Sequence, residues 1–211
     1  YYPYRLLYQT NCGSDTLKQG KNDITVLLNG GWYCGRYTFD NKTQIYGEKE
    51  AVSFVLRLQY EEGEEEVVFS DGEMSELSSF WDYAGFYDGE VVDASRPLEI
   101  KGPVVKTALS SSVSLEPTLC KVEYHETLKP MEVIKRKDSV ILDFGQNHGG
   151  VPVINTSFME KGSTVEVRSA EILDKNGDLY RGNLRKAKST ILYTKGDYEG
   201  EYIPPFTYMG Y

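Results

Sequence analysis

The sequence is short of most signatures that would announce a chemistry. Its 211 residues hold two histidines, His125 and His148, and three cysteines, Cys12, Cys34 and Cys120. The cysteines are odd in number, far apart and without a C-x-x-C, so the chain is not a disulfide scaffold. A Cys/His zinc site lacks its ligands as well, and the thiols read as buried and unreactive. No apolar run approaches the roughly 20 residues of a membrane-spanning helix. No signal peptide is visible either, although the chain opens "YYPYRLLYQT" without a Met, so that absence carries little weight. Basic charge is scarce: 23 Lys and Arg against 32 Asp and Glu leave −9, which argues against nucleic-acid binding. G-x-S-x-G, H-E-x-x-H and a phosphate-cradling glycine loop are missing too.

What is present is β-rich. At 40% hydrophobic and 26% charged the composition is that of a soluble globular protein. Tyr, at 17 copies, suits sheet surfaces and sugar-binding faces alike. Strand signals run through 23–29, 53–60, 66–70, 104–115, 120–128, 131–137, 139–144, 151–158, 163–173 and 189–195. Turn residues such as Asn29-Gly30-Gly31, Glu62-Gly63 and Asn176-Gly177 separate them. In "STVEVRSAE", Val165 and Val167 face one way and Thr164, Glu166 and Arg168 the other. "EEGEEE" at 61–66 reads as a solvated hairpin turn, and only 75–81 and 182–189 suggest short helices. This pattern predicts two consecutive β-sandwich domains rather than βαβ units. "DASRPLEIKGPVVK" marks a boundary near Gly102–Pro103, giving domains 1–102 and 103–211.

Candidate sites are few. "LDKNGDLY" (173–180) begins like a calcium loop with Asp174, Asn176 and Asp178. Leu179 and Arg185 then stand where that loop needs its Gly and its bidentate Glu. Asn-Gly between strands is a hairpin signal instead. Asp93, Asp143 and Glu171 sit at strand ends, but no catalytic pair can be selected among 32 acids. "GGWYCGRY" (30–37) brings Trp32, Tyr33 and Arg36 together as a candidate sugar platform; the alternative is that Trp32 plugs a sandwich core. "VILDFGQNHGGVPV" (140–153) places Asp143, Gln146 and Asn147 in a glycine-flanked polar turn, which either holds a ligand or redirects the chain.

Five ordered segments resemble the bacterial α-L-rhamnosidases, large multidomain inverting glycoside hydrolases. They are "YRLLYQT" with "DTLKQGKNDITVLLNGGWYCGR", "FSDGEMS" with "FYDGEVVDA", "ILDFGQNHGG", "SAEILDKNGDLYRGNLRKAKSTILYTKG" and "PPFTYMGY". The resemblance implies a truncated N-terminal jelly-roll followed by a smaller antiparallel β-sandwich. It also implies that the chain starts inside the first domain and stops before the (α/α)6 barrel that carries the family's catalytic acids. No catalytic residue is therefore carried over. Departures stand at Gly72, Glu73 and Met74, where the family places a Trp after the aspartate, and at Glu116-Pro117, a shortened Pro-rich lead-in. "YQTNCGSD" differs from the family's loop as well.

Three roles follow from the resemblance. The chain is a set of accessory β-domains supporting the barrel, a stand-alone module for rhamnose-containing glycans, or a structural sandwich that self-associates through exposed strand edges. No cofactor is implied; calcium assists some related sugar-binding sandwiches, but no motif supports it here. The Asp143–Asn147 turn would brace the barrel interface or rim its pocket. Neither nucleic acid nor membrane is an expected partner, and of the cytoplasmic and exported locations the cytoplasmic is the reading preferred.

Overall fold

The computed structural model describes residues 4–108, 112–120 and 122–210. Strands take up 32% of the chain and helix 4%, so the all-β reading holds. In chain order the strands are β1 (Arg5–Tyr8), β2 (Val55–Gln59), β3 (Glu65–Phe69), β4 (Ser75–Leu77), β5 (Trp81–Gly85) and β6 (Gly89–Asp93). Next come β7 (Ile100–Pro103), β8 (Ser114–Pro117), β9 (Glu132–Lys135), β10 (Val140–Asp143) and β11 (Gly149–Gly150). The last are β12 (Ile154–Asn155), β13 (Thr164–Arg168), β14 (Thr190–Thr194), β15 (Glu201–Tyr202) and β16 (Met209–Gly210).

Hairpins form where turn residues stand between β-branched runs. β2 and β3 pair across the acidic turn, which Gly63 closes by donating to the Tyr60 carbonyl at 3.0 Å. β9 and β10 pair likewise across 136–139. In β13 the alternation appears as expected, with Val165 and Val167 half-buried and Thr164, Glu166 and Arg168 exposed. Three readings need correction. Residues 75–77 are strand, not helix, because β4 finds a partner in β7 and tertiary pairing overrides local preference. The run 23–29 joins no ladder among the described residues, and Ile24, Leu27 and Leu28 stand about half exposed. The cysteines are not buried: Cys12 and Cys120 are exposed and Cys34 is half-buried. Residues 109–111 of the expected strand 104–115, and residue 121 of the strand 120–128, lie outside the described residues.

The core sits on a four-stranded sheet in the order β13-β14-β6-β5. Its outer pairs are antiparallel, but β14 and β6 run parallel, an exception to the expected antiparallel pattern. Gly89, Glu90 and Val92 of β6 are buried, as befits a central strand. Ile191 and Tyr193 of β14 are buried beside them, in register with Glu90 and Val92. Each such side chain stabilises the sheet by about 1.5–3 kcal/mol. Gly89 makes the close parallel approach possible. Its φ is +93°, and a Cβ there would lie 2.0 Å from the Thr190 carbonyl oxygen. Strands from both sides of Gly102–Pro103 thus share one hydrogen-bonded sheet.

Candidate functional site

Two polar clusters are built on this sheet. The first surrounds Glu90, whose side chain is fully buried and faces away from Val91 with Val92 beyond it on the same side. The Trp81 indole donates to Glu90 Oε2 at 3.0 Å, and the Tyr202 hydroxyl donates to the same oxygen at 2.5 Å. The Phe206 backbone amide donates to Oε1 at 2.7 Å. Tyr202 stacks on Tyr193 at 4.4 Å, and Phe206 meets Trp81 edge-on at 5.6 Å. The carboxyl group is therefore held by three donors among four aromatic rings, with no ion-pair partner among the described residues. Burial, and then the bond to Glu90, push the Tyr202 phenol well above its ordinary range. Nothing in this arrangement is open to a substrate; it is a structural joint between "FYDGEVVDA" and "EYIPPFTYMGY".

The second cluster lies at the β5–β6 turn. Asp88, 8% exposed, accepts the Tyr83 hydroxyl at 2.9 Å and the Lys188 amide at 3.1 Å, with Arg36 Nη2 at 3.5 Å. Burial first, and then Asp88, push the Tyr83 phenol up to about 12. Arg36 also donates to Asn41 Oδ1 at 2.7 Å and to the Lys186 carbonyl at 3.2 Å, and lies 5.0 Å over the Tyr87 ring. Of the candidate sugar platform, Trp32 stacks on Phe86 at 4.5 Å, and Tyr37 and Tyr87 close around it edge-on. The Tyr33 ring is turned onto Gly47 instead, so close that a Cβ there would meet its hydroxyl at 2.2 Å. Trp32 and Tyr33 are occupied by protein contacts, whereas Arg36 lines a small concave surface.

The Asp143–Asn147 turn is separate from both. Asp143 Oδ1 accepts the Gly145 amide at 2.7 Å, and Gly145 takes φ +72°. His148 lies edge-on to Phe144 at 5.4 Å, with its Nδ1 3.2 Å from the Gln146 carbonyl. Gln146 and Asn147 are exposed, and their side chains bond to nothing among the described residues. Immediately afterwards β11 pairs with β16, so the turn delivers the chain to "FTYMGY". The calcium-like segment folds as a hairpin turn: Asp174 Oδ1 accepts the amides of Asn176 and Asp178 at 2.8 and 3.0 Å. Glu171 is bonded by Asn183 Nδ2 at 3.2 Å, and Asp93 by Ser95 and Arg96. The Ser95 hydroxyl, more than the Arg96 guanidinium, holds the Asp93 carboxyl below its usual range. Sequence reasoning missed Glu90 and Asp88. The signal available for Glu90 was an acid sharing the inward face of β6 with Val92.

Comparison with known proteins settles the lineage. The model of the α-L-rhamnosidase N-terminal domain matches residues 1–114, more than half of the 211. The chain belongs to the bacterial α-L-rhamnosidase family. A second model, the bacterial α-L-rhamnosidase concanavalin-like domain, matches residues 134–211. Among curated proteins of the family, the α-L-rhamnosidase of Streptomyces avermitilis is 29% identical over 100% of this chain and 22% of its own length. That of Alteromonas sp. is 31% identical over 90% of this chain and 22% of its own. Among solved structures, the S. avermitilis α-L-rhamnosidase complexed with L-rhamnose superposes with a TM-score of 0.73 at 28% identity, covering 86% of this chain and 19% of that one. The chain spans about a fifth of the length of these relatives. The Glu90 joint links the two family-matched regions, since Trp81 and Glu90 lie in the first and Tyr202 and Phe206 in the second.

Proposed function

We propose that this chain is the non-catalytic β-region of an α-L-rhamnosidase that removes terminal α-L-rhamnose from rhamnosides with inversion. In this reading the region supports a downstream (α/α)6 catalytic barrel and helps shape its substrate entrance. The observation that carries it is the ordered match to two rhamnosidase domains in a chain about a fifth as long as its relatives. The surface supports it as well. The chain exposes 16573 Å², where a compact monomer of 23.9 kDa exposes roughly 9,900 Å². The excess is several times the roughly 1,600 Å² of a standard interface. The unpaired apolar run 23–29 and the edges of the two-stranded ladders are surfaces that a barrel of the same protein would cover. The proposed units 1–102 and 103–211 are then segments of one scaffold, because β5 and β6 hydrogen-bond into the sheet of the second.

An aryl α-L-rhamnoside decides the matter. The 211-residue chain is expected to leave it intact, and a chain extended through the barrel to hydrolyse it. Robust turnover by the 211 residues alone overturns the proposal.

A further inference from the structure

A small cavity opens where the loop after Trp32 meets the loop after Gly182, and its charged lining is entirely cationic. Arg36, Arg185 and Lys186 contribute the charge, Phe39 and Tyr87 the aromatic surface, and Asn41 an amide. The volume is about 90 Å³, well below the roughly 300–1,000 Å³ of a site that swallows a drug-sized ligand. It admits one charged substituent and the edge of a ring, not an oligosaccharide.

Three observations converge on a ligand. First, this basic concavity belongs to a chain of net charge −9. Arg36 is compensated by Asp88, but neither Arg185 nor Lys186 makes an ion pair with any described residue. Second, the aromatic surface is unusually open: Phe39 is 74% exposed, and the Arg185 guanidinium lies 5.0 Å over its ring. Third, backbone strain is concentrated here. Five non-glycine residues among those described have positive φ, and three of them, Thr38 (70°), Asn41 (60°) and Arg185 (56°), line the cavity. For Thr38 and Arg185 such a backbone costs about 1–3 kcal/mol, and less for Asn41; strain of this kind gathers where a loop is held in shape for a ligand. Arg36 completes the wall, with a buried Nε that no described residue accepts from.

We propose that this cavity binds the anionic substituent, a carboxylate or a sulfate ester, of an acidic sugar, with Arg185 and Lys186 as the charge-bearing contacts and Phe39 and Tyr87 against the sugar's C–H face. That the anion is carried by a glycan rests on the rhamnosidase reading; the anion preference rests on the cavity alone. The site lies between the two family-matched regions, so it would select rhamnosides whose neighbouring sugar is charged.

The test is calorimetric titration of the chain with three probes: a methyl glucuronide, a methyl rhamnoside sulfate ester and the neutral methyl α-L-rhamnoside. At least one anionic probe is expected to bind at least about tenfold more tightly than the neutral one, the gain of one charge-assisted contact. That binding should weaken as salt rises. Whichever anionic probe binds identifies the substituent. Arg185→Gln/Lys186→Gln, both exposed positions, should abolish the preference while leaving the melting temperature unchanged. Equal binding of all three probes, or an undiminished preference in the double variant, overturns the proposal. Failure here with a rhamnoside-cleaving extended chain removes only the anion site. An anion preference without rhamnoside cleavage removes only the enzyme reading.

Discussion

The Tyr202 hydroxyl donates to Glu90 Oε2 across 112 residues of sequence, and no described residue forms an ion pair with that carboxyl group. Three neutral donors in a ring of aromatics hold the carboxyl group. The joint is therefore directional: each donor fixes one position on β5, β15 or the "PPFT" segment relative to β6. A salt bridge would tolerate sliding, whereas three converging N–H and O–H groups do not.

Glu90→Gln tests that geometry at constant volume. The amide oxygen can accept from Trp81 and Tyr202, but the amide nitrogen then faces the Phe206 N–H, donor against donor. The expected loss is about 2–3 kcal/mol, the cost of a charge-assisted bond and an unsatisfied buried amide. Urea unfolding with an unchanged midpoint would show that the joint does not hold the sheet.

Tyr202→Phe removes one donor and should cost about 1–2 kcal/mol at pH 8. It also carries a pH signature. The folded state raises the phenol pKa, through burial and through Glu90, above the unfolded value of about 10. Below that pH both states keep the proton and the contribution is whole. Above it the unfolded chain loses its proton first, so stability falls as pH rises. Tyr83, pushed up to about 12, adds a loss between about pH 10 and 12. Urea midpoints at pH 8, 10 and 11 should therefore drop more steeply for the parent than for Tyr202→Phe. Parallel slopes would assign the alkaline loss elsewhere.

The hairpins β2–β3, β9–β10 and the strands β13 and β14 were legible because strand-forming runs and the turn residues between them are local signals. The β6–β14 pairing was not. It joins Gly89–Asp93 to Thr190–Thr194 over about a hundred residues, and nothing local in "GEVVD" names its partner. The same distance hid the Glu90 joint, whose donors lie 9, 112 and 116 residues away. Trp32 shows the converse. A tryptophan beside Tyr33 and Arg36 fits a sugar platform in sequence, but only the fold reveals Phe86 already stacked on it.

Gly89→Ala should be among the most damaging single-methyl changes in the chain. The added Cβ would need φ near +93° and would meet the Thr190 carbonyl at 2.0 Å, inside the central parallel pair. Neither strand can retreat without breaking the ladder, so the loss is expected to reach at least about 3 kcal/mol. Gly72→Ala, where a Cβ meets nothing within 4 Å, is the control and should be near neutral. Equal melting temperatures for the two variants would contradict the close approach.

The Asp143–Asn147 turn separates into a local part and an outward part. Asp143→Ala removes the acceptor for the Gly145 amide and should cost about 1 kcal/mol, as for other side-chain caps of tight turns. Gln146→Ala removes an exposed side chain that bonds to nothing described, so stability should stay within about 0.5 kcal/mol. The useful measurement is then KM for an aryl rhamnoside in the extended, barrel-containing chain. If Gln146 rims the substrate entrance, KM rises several-fold while the melting temperature stays fixed, a split that loss of folding cannot produce. If KM is unchanged, the turn serves only to carry the chain from β10 to the β11–β16 pair, and its polar residues are there for the bend.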